Sequence, residues 1–166
     1  LVHDRAYLDA LAGGTLSKAA ERRMGLPWSR ALVKRSRLAV QGTMNAVYMA
    51  LQDGMAANLA GGTHHAFPGH GEGFCVLNDV AVAIRSVRRA GWIRRAMVID
   101  LDVHQGNGTA AIFEADPDVF TLSVHGEKNY PFRKVPSTLD IGLPDGTDDD
   151  AYMEAIQPVV SRALDS

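Results

Sequence analysis

The sequence predicts an α/β fold on a parallel, doubly wound sheet. Two apolar runs of strand length, Ala96-Met97-Val98-Ile99 and Val119 to Val124, alternate with helical stretches of amphipathic pattern. Their order, strand then short helix then strand, is that of a crossover unit. Directly after the first run comes Asp100-Leu101-Asp102-Val103-His104-Gln105. Polar residues gathered at a strand's carboxyl end mark where open parallel sheets bind ligands.

The elements follow in order. Ala6 to Ala12 predicts a short helix and Ala19 to Arg23 another, with a turn at Gly25-Leu26-Pro27-Trp28. Ser29 is the N-cap of a long helix reaching about Leu51, with a small-residue face of Ala39, Gly42, Thr43, Ala46 and Ala50. A polar loop rich in Gly and His follows Leu59. Asn78 caps a helix from Asp79 to Ala90, and Gly91 stops it. Ala96 to Leu101 reads as a buried strand. Gly106-Asn107-Gly108 is a tight loop, Thr109 to Glu114 a short helix, and Val119 to Val124 the next strand. Asp140 to Leu143 is a further short strand. Asp145-Gly146-Thr147-Asp148 forms a loop and cap before a helix from about Asp149, which Pro158 should kink or divide.

Composition narrows the function classes. A chain of 166 residues suits one domain with a sizeable core. Hydrophobic residues at 46% and charged residues at 22% exclude general disorder. Seventeen Lys and Arg against 19 Asp and Glu give no basic excess, so neither direct nucleic-acid nor membrane binding is expected. The local cluster Lys34, Arg35, Arg37 reads as a solvated helix face. No window has the apolar length of a membrane span, and no signal peptide is recognisable. The one cysteine, Cys75, cannot form an internal disulfide, which fits a reducing cytoplasm.

Three constellations carry chemistry. In an extended strand Asp100, Asp102 and His104 would share one face, where two carboxylates and an imidazole are hard to satisfy without a cation. The bland alternative is a polar strand end capping the next loop. His64 and His65, after Gly61-Gly62-Thr63, could be general base and acid, or metal ligands, or two solvated loop histidines. Gly69-His70-Gly71-Glu72-Gly73-Phe74-Cys75 lacks the Lys-Ser/Thr ending of a phosphate loop. Its glycines allow close backbone approach to a ligand, with Phe74 as an apolar wall; a flexible turn around a core Phe is the alternative.

Together these motifs resemble the zinc-dependent histone deacetylase family, with its bacterial acetylpolyamine amidohydrolase and acetoin-utilisation relatives. The resemblance runs through Gly61 to Ala66, Gly73-Phe74-Cys75, Asn78 to Ala81, Asp100 to Thr109 and Ser123-Val124-His125. It extends to Val2 through Leu16, Asn129-Tyr130-Pro131 and Asp140 to Thr147, and looks closest to the branch of bacterial and class IV proteins. It implies an arginase/deacetylase-type α/β fold and hydrolysis of an acetyl or other acyl amide, on acyl-lysine in a protein or peptide or on an acetylated small amine. Asp102 and His104 match two of three protein ligands to Zn(II), with Fe(II) an alternative native metal. His64 and His65 match the tandem catalytic pair, His65 the general base and acid and His64 its electrostatic partner. Asp100 matches the acceptor behind His64, and Asn107 stands in the place of the partner to His65, where some relatives carry Asp. Gly73 and Phe74 match the acyl-lysine channel, with Tyr130 as an opposite wall. Asp100, Asp102, His104, Ser123 and Val124 match a structural potassium site.

There are departures. Gln105 stands where many relatives have a second His, and strand alternation would turn it away from the zinc side. The family's third ligand, an Asp on a later strand, and its oxyanion-stabilising Tyr have no recognisable counterpart before Ser166. Residues 1–166 are therefore expected to be part of a single deacetylase-like catalytic domain, truncated at both ends, and inactive alone. Two other readings stay open. An arginase-like dimanganese ureohydrolase would want Asp-x-His-x-Asp order, whereas this chain has Asp-x-Asp-x-His. A non-catalytic acyl-ligand or protein-binding relative would fit the absent ligand. The acyl chain and the oligomeric state are open from sequence.

Overall fold

A computed structural model describes residues 2–164. The chain divides into two compact units, Leu1–Ala96 and Met97–Ser166.

The first unit is helical. Helix α1 spans Arg5–Gly13 and ends on Gly14, whose left-handed backbone (φ 71°) returns its N–H to the Ala10 carbonyl. Helix α2, Lys18–Met24, is capped by the Ser17 hydroxyl on the Ala20 N–H and closed by left-handed Gly25. Ser29 caps the long helix α3, Arg30–Asp53, by accepting from the Leu32 N–H. Asn78 caps α4, Asp79–Arg89, through the Ala81 N–H. These caps satisfy N–H groups that a helix start leaves orphaned. Tyr7, Leu11, Met24, Val76 and Leu77 form the core, with Trp28, Leu32 and Val40 packed against it. Two polar tips are tied to backbone: buried Tyr7 Oη donates to the Val76 carbonyl (2.7 Å) and half-buried Trp28 Nε1 to that of Leu11 (2.7 Å). Burial pushes the Tyr7 hydroxyl up to about 12, so it stays a donor. Helix α3 lies along α4, where Tyr48 meets Ser86 (3.1 Å) and the edge of Trp92.

The second unit carries the sheet. Strand β1 is Ala96–Asp100, starting on the last residue of the first unit, β2 is Val119–Gly126 and β3 is Leu139–Leu143. Their order is β1-β2-β3, with β2 and β3 parallel and in register from Leu122 opposite Leu139 to Gly126 opposite Leu143. Helix α5, Asn107–Phe113, packs on β2, and α6 covers Asp149–Leu164. Leu122, Val124 and Ile156 form the buried centre, lined by Ile99, Phe120, Ile141, Leu143, Tyr152 and Val159. Each large side chain buried there contributes about 1.5–3 kcal/mol.

Three expectations are corrected. Strand β1 is half-buried and at the edge of the described sheet, with β2 central. It also ends at Asp100, one residue early, because the Asp100 carboxylate captures the Asp102 N–H. Helix α6 is not divided at Pro158, which lies inside it. The carbonyl that proline leaves unpaired, four residues earlier, belongs to solvent-exposed Glu154, where water can take its place.

Candidate active site

Candidate residues fall in both units. In the first, the loop 61–66 presents His64 and His65, both buried, with ring centroids 4.1 Å apart and planes tilted by 42°. A tight turn precedes them, with the His64 N–H on the Gly62 carbonyl (2.9 Å). Gly73 lies flat against His65: a Cβ on Gly73 would fall 2.6 Å from the imidazole Cδ2. Phe74, next along, has a left-handed backbone (φ 65°), and its N–H is held by the Met24 carbonyl (2.8 Å). Phe74 is 70% exposed, so it is not a core side chain. The ring rests over Gly25, where a Cβ would come within 2.8 Å of it.

In the second unit the acidic motif is not a strand face. Past Asp100 the chain turns on its own side chains: Asp100 Oδ1 accepts from the Asp102 N–H (3.0 Å), and Asp102 Oδ1 from the His104 N–H (2.8 Å). Such local side-chain-to-backbone bonds compete with strand pairing. They still bring Asp102 and His104 together, with Oδ1 and Nδ1 3.0 Å apart. Two adjacent corners of a tetrahedron with arms of about 2.0 Å are about 3.3 Å apart. Both side chains are about half exposed, at 50% and 42%. The donor set, one carboxylate oxygen and one imidazole nitrogen, therefore fits two positions of a zinc site. Among the described residues no group of three or more His, Cys, Asp or Glu is placed to hold a metal.

The other expected residues have definite places. Tyr130 stands edge-on to His104, ring centroids 6.0 Å apart. Asn107 is buried at the start of α5. Ser123 and Val124 are buried in β2, and Ser123 Oγ meets His125 Nδ1 at 3.1 Å. Burial lowers the His125 imidazole below its ordinary range, against the pull of Asp140. Gln105 is fully buried. Its amide donates to Val135 O and Asp140 Oδ1, both at 2.8 Å, and accepts from the Val135 N–H at 3.0 Å.

Sequence reasoning assigned no role to Asp79 and none to His3. Asp79 is completely buried under the histidine loop, and His3 bridges Phe67 O and the Asn78 N–H, each at 3.0 Å.

The histone deacetylase domain model matches residues 1–166. The chain belongs to that family. An uncharacterised protein of Picosynechococcus sp. is 53% identical over 156 residues, which is 94% of this chain and 52% of that protein. The acetoin utilization protein AcuC of Bacillus subtilis is 35% identical over 98% of this chain and 47% of its own length. The crystal structure of a histone deacetylase homologue from Aquifex aeolicus superposes with a TM-score of 0.82 at 30% identity, covering 96% of this chain and 49% of that one. A homologue in complex with SAHA gives 0.81. The fold is thus the arginase/deacetylase α/β fold, and the chain spans about half the length of the relatives it matches. No described helix is long and apolar enough to cross a membrane.

Proposed function

We propose that these residues belong to a zinc-dependent amidohydrolase that removes an acetyl or related acyl group from acyl-lysine or an acetylated small amine. The observation that carries this reading is the 3.0 Å approach of Asp102 Oδ1 and His104 Nδ1, a carboxylate and an imidazole poised as neighbouring donors. Asp102 and His104 would supply two of the metal's donors; a potassium ion at Asp100, Asp102, His104, Ser123 and Val124 belongs to the same reading. Bound zinc would supply Lewis acidity toward an amide carbonyl and toward water.

The chain's own residues supply the rest. His65 holds and moves the proton, taking it from water and giving it to the leaving amine, with His64 as its electrostatic partner. The deacetylase reading gives Asp100 and Asn107 the part of hydrogen-bond partners to the tandem histidines, and Gly73, Phe74 and Tyr130 the part of acyl-channel lining. Membership of the histone deacetylase family and a solved homologue holding SAHA support an acyl-amide substrate class.

The test is made in the full-length protein. Asp102→Ala and His104→Ala should each lose zinc, by plasma mass spectrometry, together with hydrolysis of an acetyl-lysine peptide. His65→Ala should keep zinc and lose about 10²–10⁴-fold in turnover. Full zinc occupancy in both ligand variants would overturn the reading.

A further inference from the structure

We infer that Asn78 and Asp79, the cap and first residue of α4, are a positioning pair that fastens the chain on both sides of the tandem histidines. The inference rests on the deacetylase reading for what the histidines do. Its structural content is independent of that reading.

Upstream of His64, both Asp79 oxygens are taken by the loop. Oδ1 accepts from the Thr63 N–H (2.7 Å) and faces the Thr63 hydroxyl, while Oδ2 accepts from the Gly62 N–H (3.0 Å). The Thr63 hydroxyl in turn accepts from the Asp79 N–H (3.2 Å) and lies against the Leu77 carbonyl. Downstream of His65, Asn78 Nδ2 donates to the Ala66 carbonyl (3.2 Å), while its Oδ1 caps Ala81. Two consecutive residues, both with no exposed surface, thus grip residues 62, 63 and 66 and leave the histidines between the grips.

The bland reading, an acid at a helix N-terminus, does not account for this. Such an acid acts on the helix dipole from solvent and need not be buried, and Asn78 already caps α4. Asp79 is a buried carboxylate whose partners among the described residues are N–H and O–H groups, with no Lys or Arg in ion-pair contact. Helix α3 completes the socket. Thr43 Oγ1 donates to Asp79 Oδ2, and Asn58 Nδ2 donates to Thr43 Oγ1 (2.8 Å) and to the Ala39 carbonyl (3.0 Å). Because Asn58 supplies a proton to the threonine oxygen, the threonine's own proton is directed to the carboxylate. The loop comes so close that a Cβ on Gly61 would lie 2.7 Å from Asp79 Oδ2 and 2.8 Å from Thr43 Oγ1. A side chain at position 61 would therefore have to push Asp79 and Thr43 from their hydrogen-bonded places.

The experiment compares Asp79→Asn, Thr43→Val and Thr43→Ser in the full-length protein. Asparagine keeps the shape but turns an N–H₂ toward a loop donor. Valine is nearly isosteric and removes only the brace, which serine restores. The readouts are the imidazole ¹⁵N resonances of His64 and His65, amide exchange at Gly62 and Thr63, zinc content, and kcat and KM on an acetyl-lysine peptide. Asp79→Asn and Thr43→Val should move the imidazole resonances and speed loop exchange. They should lower kcat by about tenfold or more, with KM within about twofold and zinc unchanged. Thr43→Ser should return all of these to wild type. Unmoved resonances and kcat in folded Thr43→Val overturn the inference, as does equal loss in Thr43→Ser. If Asp79→Asn does not fold, the threonine pair decides. If the wild type does not hydrolyse the peptide, the functional reading fails while resonances and exchange still decide positioning.

Discussion

At Gly73 one hydrogen atom separates a working loop from a clash. Its backbone is left-handed (φ 55°), and its Cα lies on the His65 ring so closely that a methyl would sit 2.6 Å from Cδ2 and 2.9 Å from Cγ. Alanine there meets a left-handed penalty of about 1–2 kcal/mol, and the imidazole must shift to admit it. A misplacement of about 1 Å at a reacting group can cost about 10²-fold in rate. Gly73→Ala should therefore lower turnover by that order with zinc content unchanged; a normal kcat in the folded variant would remove Gly73 from the machinery. His104 differs, being half exposed and fixed by its own turn and by the Tyr130 edge, so its freedom is limited by local chain geometry rather than by packing.

At the element scale, Gln105 joins the turn after β1 to the segment before β3. Its amide makes three hydrogen bonds, to both backbone groups of Val135 and to Asp140. Gln105→Ala empties a fully buried position and removes three hydrogen bonds to half-buried Val135 and solvent-facing Asp140, and should destabilise the fold by about 1–3 kcal/mol, read as a lower urea midpoint. Gln105→His, the residue many relatives carry, offers one donor and one acceptor when neutral and should lose about 1–2 kcal/mol. Helix N-caps were legible in the sequence because their chemistry is local: Ser29 and Asn78 act within three residues and are where they were expected, while α4 closes on Ala90, one residue before the expected stop at Gly91. The end of β1 was not. Alternation was extended past Asp100, where carboxylates capture the next N–H groups and replace the strand with turns. Asp102 and His104 were still found as a pair, since either geometry brings them together. The socket around Asp79 was hidden for another reason: its partners lie 16, 17 and 36 residues away, beyond any local pattern.

For the whole molecule, burial leaves an acid-sensitive fold. His3 is held below its ordinary range chiefly by burial, and its Nε2 must stay unprotonated to accept from the Asn78 N–H. His70 is lowered by burial and then by Arg23, with Glu72 opposing. As pH falls below about 6.5 the unfolded chain protonates these imidazoles first, so it binds more protons than the fold and stability drops. The loss continues until pH passes below the depressed folded values. Urea midpoints should be lower at pH 5.5 than at pH 7.5, and His3→Gln should flatten the difference; an unchanged or steeper slope would count against His3. Because the chain spans about half of its relatives' length, these measurements belong in the full-length protein.

Phe74 carries a different kind of information. It holds a left-handed backbone that glycine would adopt without penalty, and it spends most of its ring in solvent. Replacing it with glycine would relieve about 1–2 kcal/mol of backbone strain and give up little buried area. Variants sorted for heat resistance alone would drift toward glycine at position 74, and variants sorted for acyl-lysine turnover would drift back. The two screens, run on one library, would thus separate what this loop needs to persist from what it needs to act.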